Sequence, residues 1–270
     1  MERRLGEGGT SFVYRAIDRE TGEPVAIKIL SPRLAGDPDL LKRLRREAAL
    51  VGRLDHPGIC RLHRLGESED GLVYLVLAFL PGELLNDREI REGPFGLSLG
   101  LPILFDLCRG LGYAHDAGIV HRDLKPENVM LVPEPSSPNG VRAVLLDFGL
   151  ARPMRPEENQ RLTATGVILG TPDFLSPEQM RGQTVDHRSD IYALGLLAFE
   201  MFAGQLPFAG RASADQTLHR LEGRLVPLGA YRPDLPPELG WAISRALAPD
   251  PASRFQSAAE FQRVLEAVPR

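Results

Sequence analysis

The sequence predicts an α+β chain of two lobes: a small antiparallel β-sheet lobe with one helix over residues 1–80, then a larger, mainly helical lobe over 81–270. Three observations carry this expectation. The first 80 residues hold short runs of apolar, β-branched and aromatic residues separated by turn residues, the pattern of strands in a sheet. The break "PGE" at 81–83 ends that texture. Beyond it, "SDIYALGLLAFEMFAG" (189–204) is almost wholly apolar after its Ser-Asp start, which marks a buried helix at the centre of the second lobe.

Taken in order, "SFVYRAID" (11–18) and "PVAIKIL" (24–30) are strands joined into a hairpin by the turn "RETGEP". Only four residues precede Leu5, so the first strand of the sheet is expected to be short. "GDPDLLKRLRREAALVGRLDHPG" (36–58) places Leu40, Leu44, Ala48, Val51 and Leu54 at helical spacing, with Asp37 to cap the helix and Pro38 to open it. "GICRLHRLGE" and "GLVYLVLAFL" are two further strands. "LPILFDLCRGLGYAHDAG" (101–118) reads as a helix stopped by Gly118. Residues 119–150 are short-stranded, with "VPEPSSPNG" (132–140) as an exposed turn, and 236–268 supplies two or three closing helices.

A length of 270 residues allows each lobe its own core. The formal net charge of −4 argues against a general nucleic-acid binder, which would be basic. Cys60 and Cys108 lie far apart inside apolar segments and are expected as small core residues in a reducing compartment. No apolar run reaches the roughly 20 residues that span a bilayer. No apolar stretch follows the charges of "MERRLGEGG" as in a signal peptide, so the chain as given is expected to be soluble.

Chemistry-bearing residues fall in three places. "LGEGGTSFVY" (5–14) sets Gly6, Gly8 and Gly9 before a strand, and closely spaced glycines let backbone N–H groups approach phosphate oxygens. A tight turn with no ligand would look the same. Lys28 ends "VAIK" among apolar neighbours; it either points to solvent or meets a carboxylate such as Glu47 on the amphipathic helix. "HRDLKPEN" (121–128) brings Asp123, Lys125 and Asn128 into one loop, and "LLDFGLA" (145–151) sets Asp147 at the end of an apolar strand. Phosphoryl transfer needs a carboxylate near the attacking hydroxyl, a cation near the moving group and hard oxygen ligands for magnesium, and these segments hold all three.

The glycine turn, "VAIK", "HRDLKPEN" and "DFG" together resemble the signature of the protein kinase family, from Leu5 to about Arg254. "GTPDFLSPEQ", "SDIYALG" and "DPASRF" are similar to the bacterial serine/threonine kinases found as cytoplasmic domains of membrane sensors. The resemblance implies the two-lobed protein kinase fold and an active serine/threonine kinase that uses ATP and magnesium, with manganese as the alternative ion. It also implies the roles of particular residues. Gly6, Glu7, Gly8 and Gly9 would cover the phosphates, and Lys28, paired with Glu47, would contact them. Val13, Ala26, Leu77 and Met130 would join the nucleotide site, with backbone groups of Ala78 and Leu80 on the adenine edge. Asp123 would accept the substrate proton, Lys125 would steady the γ-phosphate, and Asn128 and Asp147 would hold the metal ions. Thr163 and Thr165 would be phosphorylated, with Arg122 as the partner of the new charge.

Thr171 would help position Asp123 and Lys125, Glu178 and Arg254 would form a buried ion pair, and Asp190 would bond the catalytic-loop backbone. Phe148, His121, Val51 and Leu62 would stack as one apolar column. The implied partners are protein substrates and a second copy of the chain for autophosphorylation. The implied location is the cytoplasm, either alone or as the cytoplasmic domain of a membrane-anchored protein. Ser11 replaces the third glycine of the turn, Ser176 replaces the commoner alanine of "APE", and Ala78 stands where a glutamate is usual. A nucleotide-binding scaffold without transfer activity, a pseudokinase, is the alternative reading; such chains lack one of the lysine, aspartate or asparagine positions, all of which are filled here.

Overall fold

The structure, a computed structural model, describes residues 2–8, 11–31, 38–148, 172–208 and 213–270. Among them, one compact unit ends at Pro81 and a second takes up at Gly82. In the first unit, β1 (Arg3–Gly8), β2 (Ser11–Ile17) and β3 (Pro24–Leu30) form an antiparallel meander. β3 then pairs with β5 (Val73–Ala78), and β5 with β4 (Leu62–Glu67), giving the order β1-β2-β3-β5-β4. The expected β2–β3 hairpin closes through Asp18, whose N–H donates to Glu23 O and whose carbonyl accepts from Gly22 N, both at 2.9 Å.

Strand alternation sorts the side chains of this sheet between two faces. Ala16, Val25 and Val76 cluster with Ile27 and Tyr74 on one face. Leu30 and Val73 cluster on the other with Leu44 of helix α1 (Pro38–Val51). Lys28 is two residues from Leu30 and pairs in register with Leu75, so it shares the face on which α1 lies. The helix opens at Pro38 as its sequence suggests, but it stops at Val51 although the apolar spacing runs on to Leu54. Bonds from Gly52 N to Ala48 O and from Leu54 N to Val51 O tighten the chain into a turn that still buries Leu54.

The second unit begins with β6 (Glu83–Leu84), which joins β7 (Val129–Pro133) and β8 (Val141–Leu145) in a small antiparallel sheet. Helix α2 (Leu85–Glu92) was not legible in its charged sequence. Helix α3 (Leu97–Asp116) begins four residues before the expected Leu101. Pro102, which suggests a helix start, lies inside it. Gly118, with φ 74°, supplies the expected left-handed stop just beyond the helix. Helices α4 (Pro177–Met180), α5 (His187–Ala203), α6 (Ser213–Glu222), α7 (Pro237–Ala246) and α8 (Ala258–Glu266) complete the unit.

Helix α5 is the centre of this unit, as its apolar run implies. Ile191, Leu194, Leu196, Leu197, Met201 and Phe202 are completely buried, against α3 and α7 among others. A Cβ at Gly100 of α3 would stand 2.6 Å from the Phe202 ring, so only glycine permits this approach of α3 to α5. Cys60 and Cys108 are buried and form no disulfide, and burial pushes the Cys108 thiol up to about 12, which leaves it an inert core residue. Among the described residues no helix is long and apolar enough to cross a membrane.

Candidate active site

The loop after α3 is built around a buried carboxylate. Asp190, in the first turn of α5, accepts from the backbone N–H of His121 at 2.7 Å and of Arg122 at 2.8 Å. His115, at the end of α3, lies 2.8 Å from the same carboxylate through Nε2. Burial alone would raise the carboxyl of Asp190; the His115 hydrogen bond and neighbouring charge, with the His121 N–H, outweigh it and hold the group below the ordinary carboxylate range. Sequence reasoning singled out Asp190 and missed His115. The available signal was a polar residue four positions after Leu111, on the buried face of an apolar helix.

His121 is 0% exposed and has its two ring nitrogens in different roles. Nε2 donates to Leu146 O at 2.8 Å, and Nδ1 accepts from Asp123 N at 3.3 Å, which fits one neutral tautomer. Asn128 completes the loop: its Nδ2 donates to Asp123 O at 2.7 Å and to Asp123 Oδ2 at 3.1 Å. Lys125 Nζ stands 3.8 Å from Asp123 Oδ2. Asp123, Lys125 and Asn128, adjacent in sequence, are therefore also gathered in space.

Asp147 joins them through the residue before it. Leu146 N donates to Asn128 O at 2.8 Å, while Leu146 O accepts from His121. The chain entering Asp147 is thus tied to both ends of the His121–Asn128 stretch. Arg122 and Asp147 are the two non-glycine residues with positive φ among the described residues, at 64° and 47°. Such conformations cost about 1–3 kcal/mol each and persist where the surroundings over-determine them. The Phe148 ring packs against His121, tilted by 43° with ring centroids 4.7 Å apart, the part of the expected column that lies in this unit. Val51 and Leu62 are buried in the other.

In the sheet unit, Lys28 pairs in register with Val13 on β2 and Leu75 on β5, and Ala26 with Leu77. Gly6, Glu7 and Gly8 lie on β1 opposite Val13, Phe12 and Ser11. Glu47 lies on α1, one turn beyond Leu44. Ala78 N donates to Arg61 O at 2.9 Å and its carbonyl accepts from Cys60 Sγ at 3.6 Å, so the second lone pair of that oxygen is what its backbone can offer a ligand. Leu80 follows the end of β5, and Met130 lies on β7 opposite Val144. Gly9, Thr163, Thr165 and Thr171 lie outside the described residues.

Glu178 and Arg254 form the ion pair expected of them. Arg254 is 0% exposed and its Nη1 and Nη2 each reach a Glu178 oxygen at 2.7 Å. Its remaining donors go to the carbonyls of Ala248, Arg188 and Pro249, so all five N–H groups are used.

A second group of carboxylates was not foreseen. Glu89 on α2 and Glu200 on α5 each bury one carboxyl oxygen without a hydrogen-bond partner among the described residues. Burial, then the charges of Glu200 and Glu127, push Glu89 up to about 8. Burial, then Glu127 and Asp173, push Glu200 up to about 7. Below their unfolded value of 4.5 both are neutral in either state. Their stabilising difference is lost as pH rises through 7 and 8, where the folded chain must ionise them. A Glu89→Gln variant should therefore melt roughly 3–8 °C above wild type near pH 8.5, with the gap narrowing as pH falls and closing below the unfolded value of 4.5. A gap independent of pH in thermal scans would refute this.

The fold and this loop define a class of protein that known sequences and structures share. The sequence profile of the protein kinase domain matches residues 1–263, and the chain belongs to the protein kinase family. The serine/threonine-protein kinase PknB of Mycolicibacterium smegmatis is 38% identical over 261 residues, covering 96% of this chain and 41% of the relative. Pkn2 of Myxococcus xanthus is 39% identical over 267 residues, covering 98% of this chain and 32% of the relative. The chain thus spans less than half the length of these relatives. The crystal structure of the Mycobacterium tuberculosis PknI kinase domain is similar with a TM-score of 0.77, 31% identity and coverage of 98% and 92% of the two chains.

Proposed function

We propose that this chain is a serine/threonine protein kinase domain that moves the γ-phosphoryl group of ATP to protein hydroxyls, with magnesium. The observation that carries the reading is the enforced meeting of Asp123, Lys125, Asn128 and Asp147 through His121, Leu146 and Asn128. The donor set fits a hard cation. Asn128 spends its Nδ2 on Asp123, so Oδ1 is the atom it can offer, and Asp147 adds a carboxylate. Oxygen ligands of this kind suit magnesium or manganese. When bound, the ion supplies charge neutralisation on the phosphates.

In this reading Asp123 orients the incoming hydroxyl and takes its proton, while Lys125 meets the charge that develops on the moving group. Lys28 holds the α- and β-phosphates from the α1-facing side of the sheet, steadied by Glu47. The glycine-rich segment from Gly6 to Gly9 covers them, with Val13, Ala26, Leu77, Met130 and the backbone of Ala78 and Leu80 around the base. Thr163 and Thr165 are the autophosphorylation sites, and the two compact units are the lobes, with the boundary at about residue 80.

Incubation with γ-labelled ATP, magnesium and a generic basic protein tests this. Labelled phosphoserine or phosphothreonine should appear, vanish with a chelator, and fall at least about 100-fold in Lys28→Met, which removes the phosphate-binding cation. Nucleotide binding without transfer would instead establish the pseudokinase scaffold.

A further inference from the structure

The left-handed backbone of Arg122 (φ 64°) directly precedes Asp123, so its peptide must be held at both ends. Its N–H is held by Asp190 Oδ1 at 2.8 Å. Its carbonyl is held by a residue with no assigned part in the reaction: Gln179 Nε2 donates to Arg122 O at 3.0 Å. Gln179 is the third residue of α4, and Ser176 is the cap of that helix. Gln179 Oε1 accepts from Ser176 N at 2.9 Å and from Ser176 Oγ at 3.1 Å. These two bonds fix which way the amide faces: oxygen toward Ser176, nitrogen toward Arg122.

The Arg122 carbonyl and the Asp123 N–H belong to one rigid peptide plane. His121 Nδ1 receives the far side of that plane through the Asp123 N–H. A tilt at the Arg122 oxygen therefore turns the Asp123 Cα and carries its carboxylate with it. We propose that Gln179 is a positioning residue for phosphoryl transfer, locking the 122–123 peptide and tying the geometry of Asp123 to the Ser176–Met180 turn. The inference rests on the kinase reading above. It adds a specific dependence: the segment ending at α4 reaches the reacting carboxylate through one amide.

Gln179→Glu separates this role from capping. A glutamate at this position accepts from Ser176 as well as glutamine does, so the capping box survives. When ionised, however, it has no proton for the Arg122 carbonyl and sets a carboxylate beside it. Near pH 8, kcat should fall about tenfold while KM for ATP stays within about twofold. The ratio of variant to wild-type kcat should climb as pH falls toward about 4.5, near the ordinary glutamate pKa, where a growing fraction of protonated glutamic acid regains a donor.

Gln179→Met, which has no donor at any pH, should show the loss without the recovery. In Gln179→Glu, amide exchange should quicken over residues 119–126 while α5 keeps wild-type protection. Wild-type kcat in Gln179→Glu, a pH-independent ratio, or loss of protection throughout α5 would each overturn the proposal. Failure of the wild-type chain to transfer phosphate in the same assay would strike the kinase reading instead.

Discussion

An Arg254→Met variant is expected to lose roughly 3–5 kcal/mol of stability, because it leaves the buried Glu178 carboxylate without its cation. Glu178 is 5% exposed and Arg254 is 0% exposed, so water cannot take the place of the missing partner. The loss extends past the pair: the carbonyls of Arg188, Ala248 and Pro249 forfeit their guanidinium donors, and the ring of Tyr192 loses the cation 4.8 Å from its centroid. Denaturant unfolding at neutral pH measures the effect, and a loss under about 1 kcal/mol would contradict it.

The pair also has a pH signature. Burial raises Glu178, but the hydrogen bonds from Arg254 and Ser189 outweigh this and hold it below the ordinary glutamate range. The contribution is therefore present above the unfolded pKa of 4.5 and lost as pH falls through the lower folded value. Replacing both residues, as Glu178→Leu with Arg254→Met, should recover part of the loss, since no charge is then stranded. Ser189 and the three carbonyls would still lack their partners, so recovery should be incomplete.

What could be read from the sequence follows how local each feature is. Asp123, Lys125 and Asn128 lie within six positions, so their type and spacing, taken with Asp147, the glycine turn and Lys28, pointed to phosphate chemistry. Strand alternation around Lys28 allowed two faces, and only the packing of Leu30 and Val73 on Leu44 decides between them. Arg254 and Glu178 are 76 positions apart, and they were paired by resemblance and not from spacing. Gln179 and the Arg122 carbonyl, 57 apart, were not paired at all. A serine and a glutamine three residues apart fit the signature of a capped helix start, which the sequence reading did not use, and nothing local says which carbonyl the spare amide will find. Glu89 and Glu200 look like ordinary charges on two helices, and only their burial with Glu127 reveals the raised pKa values. The helix read from the sequence began at Leu101, next to Pro102, a residue that favours the first turn. The helix instead starts at Leu97, where the N–H groups of Leu99 and Gly100 turn back to Gly96 O.

Asp123→Asn is expected to leave the fold intact and remove about 100- to 10,000-fold of kcat, the usual contribution of a positioned general base. The substitution keeps the side-chain shape. The backbone bonds to Asp123, from Asn128 Nδ2 to its carbonyl and from its N–H to His121, do not depend on the carboxylate. An asparagine oxygen can still accept from Asn128 at the place of Oδ2, now 3.1 Å away. Lys125, 3.8 Å from that oxygen, loses an anionic neighbour, a modest cost at a partly exposed site. What the amide cannot do is take a proton from an attacking hydroxyl. The melting temperature should accordingly stay within about 2 °C of wild type, and ATP affinity within about threefold, while transfer collapses. Retention of more than a tenth of wild-type kcat would mean that Asp123 only orients the hydroxyl and that the proton leaves by another route. A variant that bound ATP poorly would place the carboxylate in nucleotide binding, contrary to the role assigned to it here.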